Sequence, residues 1–206
     1  MAHTETLLRL LRNTDPEVSE QAWELCAALD APARRTAAAA LIADHPQWGQ
    51  AARCMLPHHP HQRSRLLRIF AIDCASEVLP IWTHAFPGDQ FCRLQLARAR
   101  QNLRTSLNAA PLARAYAQGI DRKRSYREQA NRDPDRYQSA MMVFEGVMYT
   151  LTQRESALLA RLVSAISREA ARTDAARRGN DGDAAAHHIA TWQRARFFAL
   201  MQRKSD

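Results

Sequence analysis

FAIDCASEVLPIW, residues 70–82, is the stretch that decides the fold. Phe70, Cys74, Val78 and Ile81 recur at helical spacing and form one apolar stripe, given about 100° of turn per residue. Asp73 and Glu77 interrupt it one turn apart, and Pro80 follows. On the helical projection Glu77 falls with the stripe and Asp73 about 60° to one side of Phe70, so neither acid is expected on the back of the helix. Carboxylates beside a core persist by pairing with arginine, and the next predicted helix, 90–104, offers Arg93, Arg98 and Arg100. Pro80 has no amide for the Ser76 carbonyl, so the helix predicted over 62–84 kinks or ends near it.

Helix is the reading everywhere else. The chain has 206 residues, 46% of them hydrophobic, and only six glycines. That length can bury a core without metals or disulfides, and Ala, Leu, Arg, Gln and Glu outnumber the β-branched residues. The expected fold is all-α: a multi-helix bundle carrying a short helical-repeat-like N-terminal segment. Its first helix holds Leu7, Leu8, Leu10 and Leu11, capped by Thr4 or Thr6 and ended at Asn13-Thr14-Asp15-Pro16. Helices over 17–29, 33–43 and 47–56 follow, separated by Asp30-Ala31-Pro32 and Asp44-His45-Pro46. With leucines before the Asp-Pro turn and Val18, Ala22 and Leu25 after it, this part is similar to a HEAT-type hairpin.

Pro57-His58-His59-Pro60-His61 is the clearest boundary, because two prolines bracket a segment that cannot continue a helix. It divides segment 1–56 from a bundle, 62–206, against which that segment packs as one compact unit. Pro111 allows a fresh start over 112–119, and the charged run 121–136 is either a loop or a solvated helix end. Asp133-Pro134 begins an apolar helix to Leu151 whose Met141, Met142, Phe144, Val147 and Met148 fill the core. Thr152 and Glu155 read as a capping box for a helix to Arg177. The turn Gly179-Asn180-Asp181-Gly182-Asp183 precedes the last helix, 185–202.

Few motifs carry chemistry. His58, His59 and His61 are candidate metal ligands as imidazoles, but no helical His pair, cysteine or paired acid supports them, and a surface loop is the expected reading. His187 and His188 are adjacent on a helix and diverge by about 100°. Asp181 and Asp183 lack the frame of a calcium loop. No phosphate-binding glycine loop or nucleophile elbow occurs, and no cofactor is expected. Cys26, Cys54, Cys74 and Cys92 are widely spaced without a Cys-x-x-Cys pair, so free thiols and a reducing cytoplasm fit. The N-terminus lacks the pattern of a signal peptide, and residues 37–43 are too few to span a bilayer.

The span 68–103, RIFAIDCASEVLPIWTHAFPGDQFCRLQLARARQNL, resembles the N-terminal signature of an immunity protein family of bacterial polymorphic toxin systems, the one numbered five. Ala71, Asp73, Cys74, Ala75, Glu77, Val78, Leu79 and Pro80, then Pro87 and Asp89, then Ala97 and Arg98, stand at its places. The chain departs from the pattern at Gln90-Phe91-Cys92-Arg93, and later helices match loosely, to about residue 201. The resemblance implies an all-helical cytoplasmic protein that neutralises a cognate toxin by occlusion and catalyses nothing.

The formal charge of +8 suits a protein partner with an acidic surface. Asp73, Glu77, Arg93, Arg98, Arg122, Arg124 and Arg127 are the candidate binding residues. Two other readings compete. A nucleic-acid-binding surface would use Arg63, Arg65, Arg68, Arg122, Lys123, Arg124 and Arg127, with Tyr126 and Tyr137 interleaved as stacking platforms. A helical enzyme would use Asp73 and Glu77 as acid and base in an accessible cleft.

Overall fold

A computed structural model of the chain describes residues 9–10, 16–43, 46–104 and 109–202. Its helices are α1 (Pro16–Ala28), α2 (Ala31–Leu41), α3 (Trp48–Met55), α4 (Pro60–Glu77), α5 (Leu79–Ala85), α6 (Phe91–Arg104), α7 (Ala109–Arg132), α8 (Pro134–Thr150), α9 (Ser156–Arg177) and α10 (Gly182–Met201). No strand occurs among the described residues, and the fold is an all-α multi-helix bundle. Leu7, Leu8, Leu11, the caps Thr4 and Thr6, and the Asn13-Thr14-Asp15 turn lie outside the described residues.

Local chemistry sets most boundaries. Asp30 accepts the Ala33 N–H at 2.8 Å with Pro32 in the first turn of α2. Asp133 accepts the Arg136 N–H at 3.2 Å ahead of Pro134, and Asp181 accepts from Asp183 and Ala184 at 2.9 and 3.0 Å. Each such cap satisfies amides that have no partner inside the helix, a contribution of about 1 kcal/mol. The capping box at Thr152 and Glu155 does not form. Thr152 Oγ1 donates back to the Tyr149 carbonyl at 2.8 Å, closing the end of α8, and Glu155 stands at the N-cap of α9 with no side-chain bond. The charged run is helical on both sides of Asp133, closing α7 at Arg132 and opening α8 at Pro134, and its Tyr126 turns inward and is buried.

The helix predicted over 62–84 is two helices. α4 stops at Glu77, Val78 leaves helical geometry at φ −95° and ψ 3°, and α5 restarts with Pro80 in its first turn, where a missing amide costs nothing. The bend lets one stretch of chain enter two aromatic clusters. In the first, Phe70 lies 4.7 Å from Trp48 and 5.8 Å from Phe197, which joins α3, α4 and α10. In the second, Trp82 lies 4.3 Å from Phe86, 4.8 Å from Tyr126 and 5.8 Å from Phe144, which joins α5, α7 and α8.

Helix α9 packs on α4, α8 and α10. Its buried Ser164 accepts the Trp48 indole N–H at 2.8 Å, and the Gln193 amide donates to the Ser164 carbonyl and to Ser167 Oγ at 3.1 and 2.7 Å. These bonds fix the helix registers through buried donors, while Gln193 Oε1 is buried with no partner among the described residues. Gly49 lets α3 approach α9 closely: a Cβ there would stand 2.6 Å from the Ala157 methyl.

One expectation for the N-terminal segment changes. Cys26 and Cys54 are joined, with Cα atoms 6.1 Å apart, so α1 is tied to α3 by a disulfide and these two cysteines are not free. Their Cα separation lies within the range a disulfide spans. Leu25 is 57% exposed, because Ala22, Trp23 and Cys26 occupy the inward face of α1. Cys74 and Cys92 are free and buried.

Candidate functional site

Asp73 is held by two arginines from different helices. Its Oδ2 accepts Nε and Nη2 of Arg196 at 2.8 and 2.7 Å, and its Oδ1 accepts Nη2 of Arg100 at 3.1 Å. Of the three partners expected on the next helix only Arg100 engages it; Arg196, on α10, was not foreseen. The Asp73 side chain is 11% exposed, and both of its oxygens are occupied. Glu77 does not flank the buried stripe. It is exposed at the last turn of α4, where the chain bends away, and it makes no ion pair among the described residues. The two acids therefore do not converge on a shared space.

The polar features that do converge lie along α6, α7 and the turn that precedes α6. The turn is set by Pro87-Gly88-Asp89, with Gly88 at φ 86°, a conformation that side-chain-bearing residues avoid. Asp89 Oδ1 accepts the Phe91 N–H at 2.7 Å and so starts α6, while Oδ2 accepts the Tyr126 hydroxyl at 2.6 Å. Burial, and next the bond to Asp89, push the Tyr126 pKa up to about 12. Arg122 donates to the Tyr126 oxygen at 3.4 Å and lies over the Phe91 ring, 4.9 Å from its centroid. Its pKa is raised, first by that hydrogen bond.

Beside this cluster runs an open groove of about 710 Å³ between α6 and α7. Arg98 crosses it: Nη1 donates to Gln95 Oε1 at 3.2 Å and to Gln118 Oε1 at 3.1 Å. Leu94, at the same edge, is 55% exposed, and on the other flank of α7 Tyr116 and Ile120 are 38% and 48% exposed. Among the described residues, three of the four exposed large hydrophobic ones thus belong to these two helices. The two helices also hold ten Lys and Arg residues against Asp121 and Glu128, a formal +8 that equals the charge of the entire chain, though Arg100, Arg122 and Lys123 meet Asp73, Asp89 and Glu145 of other elements.

The remaining candidates scatter. Arg93 and Arg127 are exposed on the same two helices, and Arg124 is paired with Glu128 at 3.2 Å. Lys123 is paired with Glu145 at 3.3 Å. Arg63 and Arg68 are spent inside the fold: Arg63 donates to the Leu56 and Pro57 carbonyls, both at 2.7 Å, and Arg68 to Arg154 O at 2.7 Å. Burial lowers the pKa of each. Arg65 is exposed on α4. His58, His59 and His61 are exposed around the start of α4, and the described residues contain no group of three or more His, Cys, Asp or Glu placed to hold a metal ion. His187 borders a separate cavity of about 550 Å³ with Arg168 and Glu169, whose carboxylate Arg172 occupies at 3.0 and 2.6 Å.

Fold and site together define an all-α bundle whose helices α6 and α7 are rich in arginine, with Leu94 exposed beside the groove and Tyr116 and Ile120 on the other flank of α7. Comparison of the chain with protein-family models, with curated proteins and with solved structures returns no match. No helix among the described residues is long and apolar enough to cross a membrane.

Proposed function

We propose that the protein binds another protein through the α6–α7 edge and acts by occluding it, as an immunity-like or adaptor protein does. The observation that carries this reading is the coincidence on two helices of Leu94, Tyr116 and Ile120 with the chain's whole excess of positive charge. Aromatic residues and arginine are enriched at protein interfaces, where a few anchors supply most of the affinity and complementary charge supplies rate and selectivity. The partner is accordingly one with an acidic surface. The resemblance of residues 68–103 to an immunity family supports a toxin as that partner, and Pro87, Asp89 and Arg98 of the resembling stretch border the groove or shape the turn beside it. Cytoplasmic action belongs to the same reading, and the Cys26–Cys54 bond would be reduced there.

The test is binding to the product of the adjacent reading frame, measured with the full chain and with the Leu94→Glu/Ile120→Glu variant. The reading expects binding by the first and loss in the second, with growth protected only by the first when the neighbour is toxic. Equal binding by both, with the variant's fold intact by circular dichroism, would sink it.

A second reading draws on the same charge. A basic edge attracts phosphate backbones, and binding of that kind weakens steeply with salt. A mixed-sequence oligonucleotide at low ionic strength separates the two: tight, salt-sensitive binding that survives Leu94→Glu/Ile120→Glu favours nucleic acid over protein.

A further inference from the structure

We infer that the Arg98–Gln95–Gln118 bridge is a preformed clamp for a carboxylate presented by the partner, a proposal that rests on the α6–α7 edge being the binding face. The argument is one of hydrogen-bond direction. A carboxamide offers one acceptor oxygen and two N–H donors. Both glutamine oxygens are consumed by the same atom, Arg98 Nη1, at 3.2 and 3.1 Å. Each amide is thereby turned so that its NH₂ is the free end. Arg98 keeps Nε and Nη2, which have no protein partner among the described residues, and these two nitrogens form the fork that a carboxylate meets with two parallel bonds.

The neighbouring groups leave Arg98 as the guanidinium open to a ligand. Arg122, at the same groove, is turned to Phe91, Tyr126 and Asp89, whose Oδ1 lies 3.9 Å from its Nη1. Of the two acids that line the groove, Asp89 and Asp121, Asp89 also accepts from the Phe91 amide and the Tyr126 hydroxyl. Gln95 is 2% exposed, so it holds Arg98 from beneath, and Arg98 loses little freedom when a ligand arrives; the amide on the exposed side is that of Gln118. An open guanidinium edge beside an amide, walled on one side by Leu94, selects a glutamate or aspartate side chain followed by an apolar residue. A phosphate would meet the same charge, but the neutral Gln118 amide adds selectivity for a planar acceptor.

The experiment follows the side-chain N–H signals of Gln95, Gln118 and Arg98 Nε by ¹⁵N NMR in the full chain, titrated with an acetyl-Glu-Leu-Glu-Leu-amide peptide. Its Gln-Leu-Gln-Leu counterpart and inorganic phosphate serve as the other probes. The clamp predicts saturable shifts at these three side chains with the acidic peptide only, weakened roughly tenfold or more by Arg98→Gln. Gln118→Glu places a carboxylate on Arg98 from within and should abolish the shifts while the backbone spectrum stays folded. Equal shifts with the glutamine peptide, stronger response to phosphate, or no response at these residues overturns the clamp. Binding of the adjacent-frame product that falls on Leu94→Glu/Ile120→Glu but not on Gln118→Glu also overturns it while leaving the binding face in place. Insensitivity to both sets of changes overturns the face and the clamp with it.

Discussion

Arg196 reaches across 123 positions of sequence to set Nε and Nη2 at 2.8 and 2.7 Å from one oxygen of Asp73. The other oxygen is left to Arg100 at 3.1 Å. Three helices, α4, α6 and α10, thus meet at one carboxylate. Because the Asp73 side chain is only 11% exposed, against 29% for Arg196 and 48% for Arg100, the pair with Arg196 is the less screened of the two.

Asp73→Ala removes both contacts and leaves two facing guanidinium groups without a counter-charge. The expected loss is about 1.5–3 kcal/mol, the range for hydrogen bonds to charged groups. In urea-unfolding double-mutant cycles the coupling of Asp73 with Arg196 should exceed that with Arg100, which solvent screens more. Additive losses in the Arg196 cycle would show the bridge to be idle.

Tyr126 gives a pH dependence with a definite sign. Its pKa is raised from 10.0 to about 12 by burial and by its bond to Asp89, so the folded state favours the neutral phenol. The associated stability is complete below the unfolded value of 10.0 and disappears as pH rises through about 12. Unfolding free energy should fall across that alkaline window. Tyr126→Phe should flatten the decline, and a phenolate absorbance band assigned to Tyr126 near pH 10 would contradict it.

The cysteines divide into two pairs. Burial pushes the thiol pKa values of Cys74 and Cys92 upward, and the thiolate is the reactive form. The folded protein should therefore react slowly with a thiol reagent. Unfolding without reductant should expose two thiols, and reduction should bring the count to four. Cys26–Cys54 closes a loop of 28 positions, and its reduction should lower stability by roughly 3–4 kcal/mol on the chain-entropy argument. Four reactive thiols before reduction would rule the bond out.

Gly49→Ala is a helix-favouring substitution that should nevertheless destabilise. Alanine gains about 1 kcal/mol over glycine in a helix interior, but the new methyl would stand 2.6 Å from the Ala157 methyl of α9. Neither group can rotate away, so α3 must shift, at a cost of about 1–3 kcal/mol. A higher melting temperature for this variant would show that α3 and α9 have room to separate.

How far the sequence could be read follows from the range of each interaction. The Asp-Pro breaks at 30–32 and 133–134 are legible because a cap and its amides are three residues apart. The Pro80 break is legible because the missing amide is local. Arg196 carries no such signal: nothing in α10 marks Arg196 rather than Arg194 as the one that faces a carboxylate 123 residues earlier. The Cys26–Cys54 pairing is likewise tertiary. Arg98 and Arg122 stand out by charge, whereas Gln95 and Gln118 are neutral and look like ordinary helix surface until Arg98 is seen between them. The +8 of α6 and α7 was countable only once the charged run 121–136 was known to continue a helix.

The bend at Val78 makes residues 60–85 a hinge pin shared by two rooms. Phe70 is fixed in one aromatic cluster and Trp82 in the other, with no helical turn between α4 and α5 to absorb a mismatch. A tilt of α5 would therefore reach Phe70 directly through Val78, alongside the packing of α9 on α4, α8 and α10 that already joins the two halves.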